Sequence, residues 1–193
     1  RVWSEVVSKD AGALARKNGK GGLFLAVLDG CSYPVFLELV AELAHAAQPI
    51  GLSTADRPEE GARGFDVLAP LPTITSYARA ALFLGSLPAD PARPDVPDAA
   101  PEAATDKARF GQNEALGSRS RRLFLKGDLD DGGQGLLQAL RGPDDVIGVV
   151  FNAVDDQIGS VNTGALLQVR ADQIAAFIPS LEAALAAGRK ILI

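Results

Sequence analysis

The chain has 193 residues with a formal net charge of −5; 47% of residues are apolar and 22% charged. That is the balance of a soluble globular domain with a core of its own. It argues against a broad nucleic-acid-binding face, which needs basic surface, although Arg119, Arg121 and Arg122 lie close enough together for a local basic site. A single cysteine, Cys31, excludes an internal disulfide and fits a reducing, cytoplasmic setting; no apolar run approaches the ~20 residues of a membrane span, and no signal peptide is legible at the start.

Val2 to Lys17 reads as an amphipathic helix, closed by the turn Asn18-Gly19-Lys20-Gly21-Gly22. Leu23 to Leu28 is continuously apolar, the signature of a strand buried on both faces, and Asp29-Gly30 stops it. A helix follows to Ala47, with Ser32 as a plausible N-cap, Pro34 in its first turn, and Val35, Phe36, Leu39, Val40 and Leu43 at helical spacing. Ile50 to Ser53 is a short strand candidate and Phe65 to Ala69 a better one. The next helix runs from about Ser76 to Leu84, with Gly85 as its stop.

Pro88 to Asp106 is rich in Pro, Ala and Asp and reads as a mobile loop or lid, with almost nothing to bury. Arg122 to Lys126 is a strand candidate, Gly135 to Arg141 a short helix, and Val146 to Phe151 a second fully apolar strand. Ala171 to Ala187 reads as one helix despite Pro179, with Gly188 after it, and Lys190 to Ile193 as a final strand. Strands alternating with helices predict a single α/β domain, a mostly parallel sheet with helices on both faces. The start at Arg1 and the lack of methionine lead to the expectation that the chain is an incomplete piece of a longer protein.

In open α/β sheets, sites gather beyond the carboxyl ends of the strands. Those positions here hold Asp29 after the first apolar strand, Pro72-Thr73-Ile74-Thr75 after Phe65–Ala69, and Asn152, Asp155 and Asp156 after Val146–Phe151. Taken singly each has a plain reading: a turn for Asp29-Gly30, a helix cap for Thr75, a solvated loop tip for Asp155-Asp156. Taken together, carboxylates at neighbouring strand ends call for a cation between them. A hydroxyl at a helix start beside that cation faces amide groups that favour an anion. Metal, alkoxide and anion site are the parts for attack on a phosphoryl group. There is no GxxxxGK[ST] loop, no CxxC pair and no GxSxG elbow.

Four segments resemble the alkaline phosphatase superfamily, and in particular its phosphodiesterase and PglZ branches. Leu23–Tyr33, LFLAVLDGCSY, is similar to its first metal-binding strand. Pro72–Pro88, PTITSYARAALFLGSLP, resembles its nucleophile segment, and Phe151–Gly159, FNAVDDQIG, its next motif. Arg122–Leu129, RLFLKGDL, is PglZ-like as well. The resemblance runs from about Leu23 to the end of the chain; the nucleophile segment is its most specific part.

The resemblance implies an alkaline phosphatase-like core and a phosphatase or phosphodiesterase with two divalent metal ions, zinc by preference. It makes Asp29 a ligand of one metal, Asp156 (with Asp155 as the alternative) a ligand of the other, and Thr75 the nucleophile, with Thr73 in reserve. Asn152 would contact substrate and Lys126 would steady a phosphate, although a surface role is the commoner fate of such a lysine. The implied substrate is a phosphate ester or nucleotide, and the implied setting is bacterial defence against phage, with other defence-system proteins as partners. The departure is in the remaining ligands: the family adds an Asp-His pair and a further His after a late strand. This chain has one histidine, His45, inside a helix. The missing motif is therefore expected beyond Ile193, and the 193 residues alone are expected to be nearly inert. The competing readings are a non-catalytic PglZ-like scaffold that binds partner proteins and a plain ligand-binding α/β domain without metal.

Overall fold

The computed structural model describes residues 20–45, 75–87, 102–152, 154 and 169–193. Among them are four strands, β1 (Leu23–Leu28), β2 (Arg121–Phe124), β3 (Val146–Phe151) and β4 (Lys190–Leu192), and five α-helices. The helices are α1 (Tyr33–His45), α2 (Thr75–Leu84), α3 (Glu102–Gly111), α4 (Gln134–Arg141) and α5 (Phe177–Ala186). The strands form one all-parallel sheet in the order β2-β3-β1-β4. The α/β class expected from the alternation of elements is the observed one; the expected helix 2–17 and strands 50–53 and 65–69 lie outside the described residues.

Strand parity divides the core in two. Side chains of a strand alternate between faces, so Phe24 and Ala26 of β1 and Ile147, Val149 and Phe151 of β3 join one cluster. That cluster takes Leu39 and Leu43 from α1, Leu136 and Leu140 from α4, and Phe177 and Leu181 from α5. Leu23 and Leu25 of β1, Leu123 of β2 and Val146 and Val150 of β3 join the other cluster, with Phe83 of α2 and Phe110 of α3. Helices therefore cover both faces, α1, α4 and α5 on one and α2 and α3 on the other. The T-shaped pair Phe83–Phe110, ring centroids 6.0 Å apart, joins α2 to α3. Asn113 ties the far ends of the same two helices: its Nδ2 donates to the Phe83 carbonyl at 2.9 Å and its Oδ1 accepts from Ala115 N–H at 3.1 Å.

Three expectations are corrected. Residues 102–106, read with 88–101 as a loop, belong to α3, and Asp106 is 1% exposed. Composition misled because Thr105 and Asp106, buried within the misread stretch, are polar, and the bulky apolar anchor Phe110 lies beyond it; residues 88–101 are outside the described set. The single helix expected over 171–187 is a 3-10 turn, Ala171–Gln173, followed by α5 after a break at Ala176, where φ is 61°. Pro179 explains the break: it is the third residue of α5, within the first turn, where its missing N–H is one no helix needs. The strand expected over 122–126 ends at Phe124, and Lys126 opens a 3-10 turn, Lys126–Leu129. Asp128 closes that turn by accepting from Leu125 N–H at 2.8 Å.

The three arginines of the possible basic site are held at the amino end of β2. Arg121 donates to the carbonyls of Arg119, Asn113 and Gly117, Arg119 to that of Leu116, and Arg122 pairs with Asp144 at 3.1 Å. These contacts staple the segment between α3 and β2. Burial and the adjacent Arg119 charge lower the pKa of Arg121.

Candidate functional site

The site grows from the carboxyl ends of β1 and β3. These strands pair in register up to Leu28 with Phe151, and Asp29 N–H extends the ladder by donating to the Phe151 carbonyl at 3.0 Å. Asp29 and Asn152 are each the next residue along their strand. By parity, both side chains turn toward the face covered by α2 and α3. They meet there: Asn152 Nδ2 donates to Asp29 Oδ2 at 3.2 Å, across 123 residues of sequence.

Helices α2 and α3 bring the rest. Tyr77, Ala80 and Phe83 of α2 are buried, Phe83 in the cluster it shares with β1 and β3. Arg79 stands beside them, so its guanidinium reaches over the sheet edge and donates from Nη1 to Asp29 Oδ2 at 3.3 Å. Its Nη2 donates to Asp106 Oδ2 of α3 at 2.5 Å. Arg109, three residues after Asp106, donates to the other carboxylate oxygen at 3.4 Å. Two carboxylates and two guanidiniums thus form a neutral chain across β1, α2 and α3, with side chains 9% (Asp29), 13% (Arg79), 1% (Asp106) and 10% (Arg109) exposed. Charges this deep persist because each has an opposite partner.

Of the residues singled out in the sequence, Asp29 and Asn152 are in direct contact. Thr75 is the exposed first residue of α2, one helical turn before Arg79. Lys126 is exposed, beyond the carboxyl end of β2 and two strands from β1. Thr73, Asp155 and Asp156 lie outside the described residues, and His45 is the last residue of α1, its side chain outside them also. Among the described residues no three His, Cys, Asp or Glu side chains converge as a metal site. Asp29, Asn152 and Thr75 are oxygen donors, chemistry that fits a hard or borderline divalent cation.

Arg79, Asp106 and Arg109 escaped sequence reasoning. Arg79 had a usable signal, since it follows Thr75 by four residues within a helical pattern and therefore shares its side of the helix. Asp106 and Arg109 stand three apart just before Phe110, a helical spacing hidden at the end of the Pro/Ala/Asp-rich stretch.

Near the site, burial pushes the Cys31 thiol up, so it is protonated at neutral pH. Farther off, a groove of about 290 Å³ runs along β2 between Lys107, Phe110, Leu123 and Phe124. It shares no residue with the Asp29 cluster. No helix among the described residues is long and apolar enough to cross a membrane. Comparison of the chain with protein-family models, with curated proteins and with solved structures finds no match.

Proposed function

We propose that the chain is part of a metal-dependent phosphoric ester hydrolase of the PglZ type, cytoplasmic, acting on a phosphate ester or nucleotide through Thr75 in a phage-defence system. The observation that carries this reading is the meeting of Asp29 and Asn152 at adjacent strand ends, with the helix opened by Thr75 sending Arg79 to the same carboxylate. In this reading Asp29 holds one divalent cation and Asp156 or Asp155 contributes to a second, zinc by preference. Such cations supply Lewis-acid stabilisation of the charge on the phosphoryl oxygens.

The chain's own residues do the rest. The amide groups at the start of α2 favour the phosphoryl anion. The Thr75 hydroxyl attacks phosphorus: the Thr75 Oγ–P bond forms, the P–O bond to the leaving alcohol breaks, and the hydroxyl proton leaves to solvent. Water then attacks the phospho-threonine, releasing the phosphoryl product and restoring the hydroxyl. Asn152 orients Asp29 or the substrate, and Lys126 meets a more distant phosphate.

A second reading is a non-catalytic scaffold for partner proteins in a defence complex, and one observation favours it: Asp29 is already neutralised by Arg79 and needs no metal to be stable. Hydrolysis of a chromogenic phosphodiester with added zinc or manganese separates the two, measured on the whole protein that carries this sequence. The enzyme reading expects metal-dependent turnover in the wild type and near-background rates in Thr75→Ala. Equal rates in the two remove Thr75 as nucleophile, and no turnover in either supports the scaffold.

A further inference from the structure

We propose that the open edge of β2 takes up an extended segment of a partner protein, acidic and apolar residues in alternation, as an added strand of the sheet. This surface is separate from the Asp29 cluster and does not depend on its chemistry. β2 is the outer strand of the order β2-β3-β1-β4. In its parallel ladder with β3, Val146 N–H donates to the Ser120 carbonyl at 2.9 Å, and Arg121 stands opposite Val146. Main-chain groups of successive strand residues turn to opposite edges. Ser120 and Arg122 therefore face β3, while the N–H and C=O groups of Arg121 and Leu123 turn to the free edge. Among the described residues these outward groups meet no main-chain partner. Leu123 is nevertheless only 5% exposed. Buried main-chain groups are nearly always hydrogen-bonded, so an unmatched pair at a sheet edge points to a missing partner. A second backbone laid along β2 supplies both a carbonyl and an N–H at the spacing required.

The groove of about 290 Å³ along this edge sets the side-chain pattern. Side chains of an added strand alternate between faces as those of β2 do. One set shares the side of Leu123 and Phe110, which lie in the same apolar cluster; the other shares the side of Arg122. Gly111 also lines the groove, and a Cβ added there would meet nothing within 4 Å, so there is room for a guest side chain. The charged lining is Lys107, Arg121 and Arg122 against Asp128 alone. Arg122 and Lys107 are 58% and 45% exposed, and each meets one carboxylate, Asp144 and Asp128. A guanidinium has five donors and an ammonium three, so both can take a second acid. That positive excess favours an acidic strand over a basic one. It also disfavours β2 of a second copy, which would bring two more arginines to a basic surface.

The test uses the whole protein that carries this sequence and a fluorescein-labelled peptide of three Glu-Val repeats. Binding is followed by fluorescence anisotropy, and hydrogen exchange of the Leu123 amide by nuclear magnetic resonance. The free protein is expected to show an unprotected Leu123 N–H, and the peptide to bind and slow its exchange. A Lys-Val peptide of the same length is expected to bind about tenfold more weakly. The Glu-Val peptide is also N-methylated at its glutamates or at its valines. One of these sets, the one facing β2, is expected to weaken binding about tenfold and the other to leave it unchanged. Arg122→Glu removes the charge and Gly111→Leu fills the groove; each is expected to weaken binding, with circular dichroism confirming the fold. If either variant unfolds, the methylated peptides decide the matter on the wild type. No binding of the Glu-Val peptide, equal binding of the Lys-Val peptide, or no effect of either methylated set overturns the inference. A Leu123 N–H already protected in the free protein overturns it as well, and sedimentation then shows whether a second copy covers the edge.

Discussion

Asp29 and Asp128 show how differently two carboxylates of one chain are held. Asp29 is buried and bridged; Asp128 is 33% exposed and meets Lys107, itself 45% exposed, at 2.7 Å. Partial burial pushes the Asp128 carboxyl up, but the Lys107 hydrogen bond, the Leu125 N–H and the Lys107 charge outweigh it and hold the group below the usual carboxylate range. A depressed carboxyl contributes stability that is present above its unfolded pKa and is lost as pH falls through its folded one. Asp128→Asn is therefore expected to lower unfolding stability by no more than about 1 kcal/mol at pH 7, the scale of a solvent-screened pair. Urea denaturation should show this deficit shrinking as pH drops below 4; a deficit that grows on acidification would contradict the assignment. The place of Asp29 at a strand end was legible, because a continuously apolar run that stops at Asp-Gly marks one. Its partner Arg79 carried less of a signal: the spacing from Thr75 sets its side of the helix, but a helical arginine looks the same on a solvated face as beside a buried carboxylate.

At the scale of elements, a strand buried on both faces leaves little room, and β3 shows where it runs out. A Cβ added to Gly148 would stand 2.9 Å from Leu123 Cδ1 and 3.4 Å from Phe110 Cζ. Phe110 belongs to the helix that carries Asp106 and Arg109, so crowding at this point pushes on the element that completes the site. Gly148→Val is expected to cost about 1–3 kcal/mol by thermal or chemical unfolding, the range of overpacked cores. A variant as stable as the wild type would mean that α3 is not seated on β3. The continuously apolar strands β1 and β3 were readable to the residue, since runs of six apolar residues bounded by turn residues are short for a helix and fit a strand covered on both faces. The start of α5 was not, because a proline within a helical pattern marks either a kink or a first turn. Only the fold shows which, here through the break at Ala176.

For the molecule as a whole, alternating strands and helices made the parallel α/β class legible, while the strand order β2-β3-β1-β4 was not. Local pattern says what a segment is, not which distant segment it pairs with, and the contact that builds the site joins Asp29 to Asn152 across that gap. The nucleophile is the part of the account on which everything else depends, so the most direct measurement is chemical. The whole protein carrying this sequence is mixed with a phosphodiester substrate and manganese or zinc, quenched in acid during turnover, and its peptides are analysed by mass spectrometry. A phosphoryl adduct on Thr75, absent from Thr75→Ala, is the predicted result; turnover with Thr75 unmodified and the adduct on Thr73 or on no residue would contradict it.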